Sequence, residues 1–472
     1  MVNIWGTADN NAAVKVTLHG ESAQGKADAE GNWIVRLPRM KAGGPYQLTV
    51  TSGKGKVTLK DVYLGEVWIA GGQSNMGSVS VAQSVGGAEA VAQADNNDIR
   101  FIYVPKMEDN GMISKGEMTW KIARGDVAAD MPSISYYFAD KLQRQTGVPV
   151  GIVLTPRGAS PAESWIPCET LVKNPITKPL VDNYDKYMAE KGEAGAKADY
   201  EAYLKADAEY RKNRKTMKQP QIPMGPYNFR RPGGLYETML QRVIPFTARG
   251  VIWYQGEANS GRAWQYRTLF PMVIEQWRTD FQNPDMYFYF VQLANFGVKG
   301  SKIPTWAELR EAQLLTSQTV KNTDMAVAID VGDKEDIHPR NKRPVGERLA
   351  ALALNNVYGY KQPCHGPSYK GMMEKDGKLI LTFETGAGKL ETNDGKAPSS
   401  FEIAGADMKF VPAQARIEGD KVVVWADGVA KPAAVRYGWA NWPECNLFND
   451  AGLPASPFRT DDLPLISQGK LF

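Results

Sequence analysis

The sequence predicts an α/β protein: a central parallel sheet with helices on both faces, flanked at either end of the chain by β-sandwich-like segments. Three observations predict it. From about residue 63, apolar runs and helical stretches alternate across 67–70, 134–143, 150–154, 250–254, 286–293 and 325–329, the pattern of strands joined by helical crossovers. Residues 1–62 instead alternate apolar and polar side chains in short runs, Val14-Lys15-Val16-Thr17-Leu18, Asn32-Trp33-Ile34-Val35-Arg36-Leu37 and Tyr46-Gln47-Leu48-Thr49-Val50, split by turn residues such as Glu30-Gly31-Asn32. From about 356 the β pattern returns, as in Leu379-Ile380-Leu381-Thr382-Phe383 and Lys421-Val422-Val423-Val424-Trp425.

The expected organisation is therefore an N-terminal β unit over 1–62, a central domain over 63–355, and a β-rich region over 356–472. A helical insertion interrupts the central domain at about 168–232. Its stretch 194–217 is rich in Ala, Glu, Lys and Tyr and reads as a charged amphipathic helix; 219–234 is rich in Pro and Gly. Whether the outer β segments pack on each other or on the central domain is open at this level. A length of 472 residues suits two or three cores better than one.

Composition narrows the function. The net charge of +4 carries no block of like charges, which gives nucleic-acid binding little support. No apolar run approaches the roughly 18 residues of a membrane span. Met1 leads directly into strand-like sequence, so no signal peptide is expected in the sequence as it stands. Cys168, Cys364 and Cys445 are odd in number and far apart, so they form no disulfide framework, and at most one pair can bond. With three scattered histidines and no His-Glu-x-x-His, no catalytic metal is expected; no phosphate loop follows a strand, and no cofactor is implied.

Gly71-Gly72-Gln73-Ser74-Asn75-Met76 follows the apolar run Val67-Trp68-Ile69-Ala70. A serine just past a strand's carboxyl end sits where reactive groups collect in α/β sheets, with free backbone amides at the next helix start. A Gly-Ser turn that only joins two elements has the same residues, so the case rests on a base. The chain has three histidines. His19 lies in an alternating strand segment, and His365 in a Pro-Cys-His-Gly-Pro loop. His338, in Asp333-Lys334-Glu335-Asp336-Ile337-His338-Pro339, follows another apolar run and has acids beside it that can orient its ring.

Together with the blocks between them, these segments resemble the sialate O-acetylesterases of the SGNH hydrolase superfamily. The matches are Gly72-Gln73-Ser74-Asn75-Met76; Arg157-Gly158-Ala159-Ser160-Pro161-Ala162-Glu163-Ser164-Trp165; Trp253-Tyr254-Gln255-Gly256-Glu257-Ala258-Asn259; Trp306-Ala307-Glu308-Leu309-Arg310-Glu311-Ala312-Gln313; Asp336-Ile337-His338-Pro339; and Arg436-Tyr437-Gly438-Trp439-Ala440-Asn441 with Pro443-Glu444-Cys445-Asn446-Leu447. They run through nearly the whole chain. The resemblance implies an SGNH-hydrolase-like three-layer α/β/α domain, a periplasmic or extracellular location, and an O-acetylated sialic acid as substrate. It implies Ser74 as nucleophile, His338 as base, and an oxyanion hole made by the Ser74 and Gly158 backbone N–H groups and a side-chain amide. Gln255 is the first choice for that amide and Asn259 the second. Asp336 ranks above Glu335 and Asp333 as the acid partner of His338, although it could equally cap the turn that presents the histidine. Arg157, Arg230 and Arg231 are candidates for the sugar carboxylate. Glu257 is expected to be a structural partner of Arg310 or Arg262, with a place near Ser74 as the alternative. Trp165, Trp253 and Trp306 are expected in the core rather than as sugar platforms.

The sequence departs from the family at Arg157-Gly158-Ala159, where many relatives have Trp-Gly-Gly, and its N-terminus falls partway through the family's N-terminal unit. An acetylesterase for xylan or another plant polysaccharide shares the serine and histidine blocks and is the nearest alternative; a sugar-binding protein on an inactive scaffold is the alternative of another class.

Overall fold

A computed structural model describes residues 1–107, 113–114, 118–297, 303–386 and 388–471. Its centre is a seven-stranded sheet built from β1 (Glu66–Gly72), β2 (Ile99–Tyr103), β3 (Lys121–Ile122), β4 (Val150–Leu154), β5 (Gly250–Tyr254), β6 (Tyr287–Val291) and β7 (Thr323–Ala326), in spatial order β7-β6-β5-β1-β4-β2-β3. Every neighbouring pair is parallel except β2–β3. β5 is buried along its whole length, as its unbroken apolar sequence requires of a central parallel strand. The result is a mixed α/β architecture with a mostly parallel central sheet and additional β-sheets at both ends of the chain.

The stretch 134–143 is helical, inside α1 (Ser133–Thr146). Pro132 precedes it, and Gly147 ends it in the left-handed conformation, donating to the Gln143 carbonyl at 2.8 Å. The insertion carries α2 (Lys178–Lys212), longer than its charged stretch predicts because it starts at a proline-bearing first turn and runs past a non-helical Gly192. α3 (Ala263–Asp280) packs on α4 (Thr305–Thr319), and α5 (Arg343–Asn356) packs on α1. No helix among the described residues is long and apolar enough to cross a membrane.

Three separate apolar clusters form. Residues of the first β unit bury Val14, Val16, Leu18, Trp33, Val35 and Leu37. The central sheet and its helices form the largest cluster, in which Trp165, Trp253 and Trp306 are all buried. The third gathers Leu381, Ile403, Val422, Val424, Val435 and Tyr437. Both outer units dock on the central one. Asn3 bonds to Thr247 and Pro245 and Arg36 to Gln282, while the C-terminal region is held by a fully buried arginine on α4. Arg310 donates to the carbonyls of Leu293, Ala294, Ala440 and Asn441 at 2.8–3.2 Å, so it meets no carboxylate at all. Burial pushes its guanidinium down to about 10. On the same helix Glu308 accepts from the Ile466 and Ser467 backbone, and Glu311 pairs with Arg459.

Arg310→Met keeps much of the volume and strands the Leu293 and Ala440 carbonyls, whereas Ala294 and Asn441 keep a donor in Trp306 Nε1 and the Phe296 backbone N–H. Because an unsatisfied buried polar group costs about 1–3 kcal/mol, the variant should lose at least about 2 kcal/mol in urea unfolding, with the 356–472 region becoming protease-sensitive first. A loss below about 1 kcal/mol would mean that the clamp is dispensable.

Candidate active site

Ser74 opens a four-residue helical turn directly after β1. The approach is tight. Gly72 has φ +117°, and a Cβ there would stand 2.2 Å from the Tyr254 carbonyl oxygen, so only glycine lets β1 pass β5 this closely before the serine. The Gln73 backbone N–H then pairs with the Tyr254 carbonyl at 2.8 Å, which fixes where the turn begins. His338 reaches the same point from the loop between β7 and α5, and its Nε2 lies 2.8 Å from Ser74 Oγ. Gly158 arrives from the loop after β4; a Cβ on it would sit 3.6 Å from the Ser74 Cβ. Neither the Ser74 nor the Gly158 backbone N–H has an acceptor among the described residues. Ser74 and Gly158 border a cleft of about 390 Å³ lined also by Gln73, Tyr103, Lys106 and Pro156.

The acid partner differs from a triad. Asp336 Oδ1 accepts the His338 backbone N–H at 2.8 Å and stands 3.9 Å from the ring Nδ1, beyond hydrogen-bond reach. Asp333 likewise accepts the backbone N–H groups of Glu335 and Asp336. Both aspartates therefore shape the turn, and the assignment of Asp336 as a catalytic acid gives way to turn capping with an electrostatic contribution. Burial lowers the His338 pKa below the ordinary 6.5, outweighing the opposite pull of Asp336, and Lys342 adds to the lowering. The ring is thus neutral at pH 7 and able to accept a proton.

Gln255 is corrected as well. Its side chain is completely buried, with Nε2 donating to the Ser160 carbonyl at 3.1 Å and to Asn259 Oδ1 at 2.7 Å, and Oε1 accepting from the Tyr266 hydroxyl. Both N–H groups are used, so none is left for an oxyanion. Asn259 is no substitute: its Nδ2 donates to Glu163 and its Oδ1 accepts from Ala162 and Gln255. These amides brace the loops after β4 and β5 from beneath.

Glu257 contacts neither expected arginine. Arg262 pairs with Glu163, and Arg310 with carbonyls. Glu257 Oε1 instead accepts from Asn75 Nδ2, the residue after the serine, while its buried Oε2 has no partner, and burial raises its pKa. Asn75 Nδ2 also donates to the Ile337 carbonyl at 3.0 Å, and Asn75 Oδ1 accepts from Lys342 Nζ at 2.6 Å. Lys342 is buried, and its amine is pushed down to about 8 by desolvation against the pull of Glu257. One side chain thus ties the serine turn to both the Glu257 loop and the histidine loop. Sequence reasoning passed over Asn75 and Lys342. The only signal was Asn75's place beside the serine.

The arginines divide. Arg231 is ion-paired with Glu237 and bonds to the Pro232 carbonyl, so its proposed contact with a substrate carboxylate is corrected to a structural role. Arg157 lies over the Phe229 ring at 3.8 Å and donates to the Met107 and Gly158 carbonyls, supporting the loop that presents Gly158. Arg230 is exposed and donates through Nε to Ala159, next to Gly158. His19 lies in an exposed turn against Tyr46, and His365 pairs with Asp324 at 2.8 Å.

Comparison with known proteins points to carbohydrate esterases. Residues 225–355 match the family model described as carbohydrate esterase, sialic acid-specific acetylesterase. The crystal structure of a carbohydrate acetylesterase from Xanthomonas citri is 38% identical, covering 98% of this chain and 95% of that one, with a TM-score of 0.80. The chain belongs to this family of carbohydrate esterases. Curated sialate O-acetylesterases of mouse and human are 27% and 25% identical over 96% of this chain, covering 90% and 88% of theirs. The family acts on acetyl esters of carbohydrates, so a glycan substrate follows, and the protein is an esterase.

Two outcomes are expected at this site. kcat/KM should rise with pH as His338 loses its proton and level off above a midpoint below 6.5. Asp336→Asn removes an influence that raises the histidine pKa, so it should shift that midpoint lower and cost less than about a hundredfold, against the ~10⁴ of a full triad. A loss near 10⁴ with an unchanged fold would restore Asp336 as a triad member. Asn75→Ala should lower kcat by about tenfold or more and destabilise by about 1–3 kcal/mol, since it leaves Lys342 and the Ile337 carbonyl without a partner. Steady-state kinetics and urea melts read both effects.

Proposed function

We propose that the protein releases acetate from an O-acetylated sugar through an acetyl-enzyme on Ser74, within an SGNH-hydrolase-like domain. The observation that carries this reading is the 2.8 Å contact between His338 Nε2 and Ser74 Oγ at a strand's carboxyl end. Ser74 Oγ attacks the acetyl carbonyl carbon while its proton passes to Nε2. The carbonyl oxygen gains negative charge and is received by the Ser74 and Gly158 N–H groups. As the C–O bond to the sugar breaks, His338 returns the proton to the sugar oxygen. Water then attacks the acetyl-enzyme, gives its proton to His338, and acetate leaves as Ser74 regains it. Nothing in this cycle calls for a metal or cofactor.

Acetylated sialic acid is the substrate favoured by the family model and the curated relatives. Its carboxylate needs a cation, and Arg230, exposed and bonded to Ala159 beside Gly158, is the arginine we assign to it. A neutral acetylated polysaccharide is the second reading. It is supported by the 38% identical carbohydrate acetylesterase and by the structural engagement of Arg157 and Arg231.

Ser74→Ala and His338→Ala should each cut hydrolysis of p-nitrophenyl acetate by at least about 10³, and the double variant should fall little further, because the pair acts as a unit. Activity of Ser74→Ala within tenfold of the parent would refute the nucleophile. Mass spectrometry of products from 9-O-acetyl sialic acid and acetylated xylo-oligosaccharides separates the two substrates. On the sialate reading, Arg230→Ala raises KM for the acetylated sialate about tenfold and leaves the aryl ester unaffected.

A further inference from the structure

An acyl-transfer site of this kind works best when several donors meet the developing negative oxygen, and two backbone N–H groups have been identified. Of the side-chain amides of the Gln255 loop, where a third donor was expected, Gln255 has both N–H groups engaged, and Asn259 is completely buried and donates to Glu163. One other amide stands at the site. Gln73 precedes the nucleophile, is 3% exposed, and lines the same cleft as Ser74 and Gly158. Its Oε1 accepts from the backbone N–H groups of Gly256 at 3.4 Å and Ala258 at 3.2 Å. That contact fixes the orientation of the amide: turned over, Nε2 would confront two donors. Nε2 is therefore directed away from the Gly256 loop, and no hydrogen bond from it to the described residues accompanies those two. A side-chain N–H held in a fixed orientation at a cleft, and not used by the protein, is available to a negative oxygen there.

We propose that Gln73 Nε2 is the third oxyanion donor, taking the part assigned from sequence to Gln255; this rests on the Ser74–His338 reading. The donor comes from the nucleophile's own turn, and the Gly256 loop contributes only the anchor that aims it. As Ser74 Oγ bonds to the acetyl carbon, the carbonyl oxygen moves into reach of three N–H groups, those of Ser74, Gly158 and the Gln73 side chain.

The test compares Gln73→Glu with Gln73→Met in the full chain. Glutamate keeps an oxygen for Gly256 and Ala258 but has no N–H; methionine keeps neither. Both variants should lose about 10²–10³ in kcat on p-nitrophenyl acetate with KM within about threefold. Phenylboronic acid, whose tetrahedral adduct on Ser74 places an anionic oxygen in the same position, should lose affinity in step. Should Gln73→Met fail to fold, Gln73→Glu decides alone. The proposal is overturned if Gln73→Glu stays within tenfold of the parent, which would leave Gln73 as an anchor only, or if kcat falls while boronate affinity is unchanged. Activity in Ser74→Ala under the same assay would instead place the fault in the nucleophile.

Discussion

The site depends on one amide side chain that must satisfy two buried groups of opposite character. Asn75 presents Nδ2 to the Glu257 carboxylate and the Ile337 carbonyl, and Oδ1 to the Lys342 ammonium. A carboxylate in its place could serve only the lysine and a lysine only the acid, so an amide is what the position requires. Through it the turn carrying Ser74, the loop after β5 and the loop carrying His338 become a single unit. The cost is a buried lysine and a half-buried acid whose buried second oxygen has no partner among the described residues, an arrangement that hydrophobic packing alone would not favour. The return is positional: His338 has no hydrogen-bonded carboxylate to hold its ring, so the backbone of its loop has to be held instead.

The same logic explains the outer β units. The sequence shows their alternation but leaves open where they dock, because docking is decided by single long-range contacts rather than by a periodic pattern. Arg310 shows this well. Within α4 it reads as an ordinary helical cation, yet it is fully buried and hydrogen-bonds to main-chain carbonyls on two segments about 150 residues apart in sequence. The Ala440-Asn441 stretch that resembles the family's C-terminal signature is half of its binding site, and Asn441 also accepts from the Trp306 backbone N–H. Ala440 and Asn441 of that signature thus pack against the central unit.

What was legible in the sequence was what local pattern determines. The parallel strands β1, β4, β5, β6 and β7 follow from their apolar runs, whereas β2 did not show in the pattern; Ser74 follows from lying just past a strand and His338 from the loop after the last one. The amides were not legible. Gln73, Gln255 and Asn259 carry the same chemical group within two short motifs, and nothing in their spacing says which N–H groups find acceptors below the sheet and which remain above it. That depends on the Tyr266 hydroxyl and the Ser160 carbonyl, both remote in sequence from Gln73. Glu257 was misplaced for a related reason: Arg262, five residues on, is drawn to Glu163 on another loop, which releases Glu257 toward Asn75.

A serine–histidine pair without a bonded acid places a particular demand on the rest of the site. In a full triad the carboxylate fixes the tautomer and stabilises the imidazolium as it forms. Here Asp336, 3.9 Å from Nδ1 and more than half exposed, supplies a screened attraction, and the buried Lys342 works against it. Burial makes the histidine a weaker base, so it is neutral and ready at pH 7 but gains less from accepting the serine proton. Stabilisation missing on the proton's side must come from the oxygen's side of the transition state, where preorganised donors act in a confined cleft without reorganising. This is why the number and aim of the N–H groups around Ser74 matter more in this protein than the identity of its nearest aspartate.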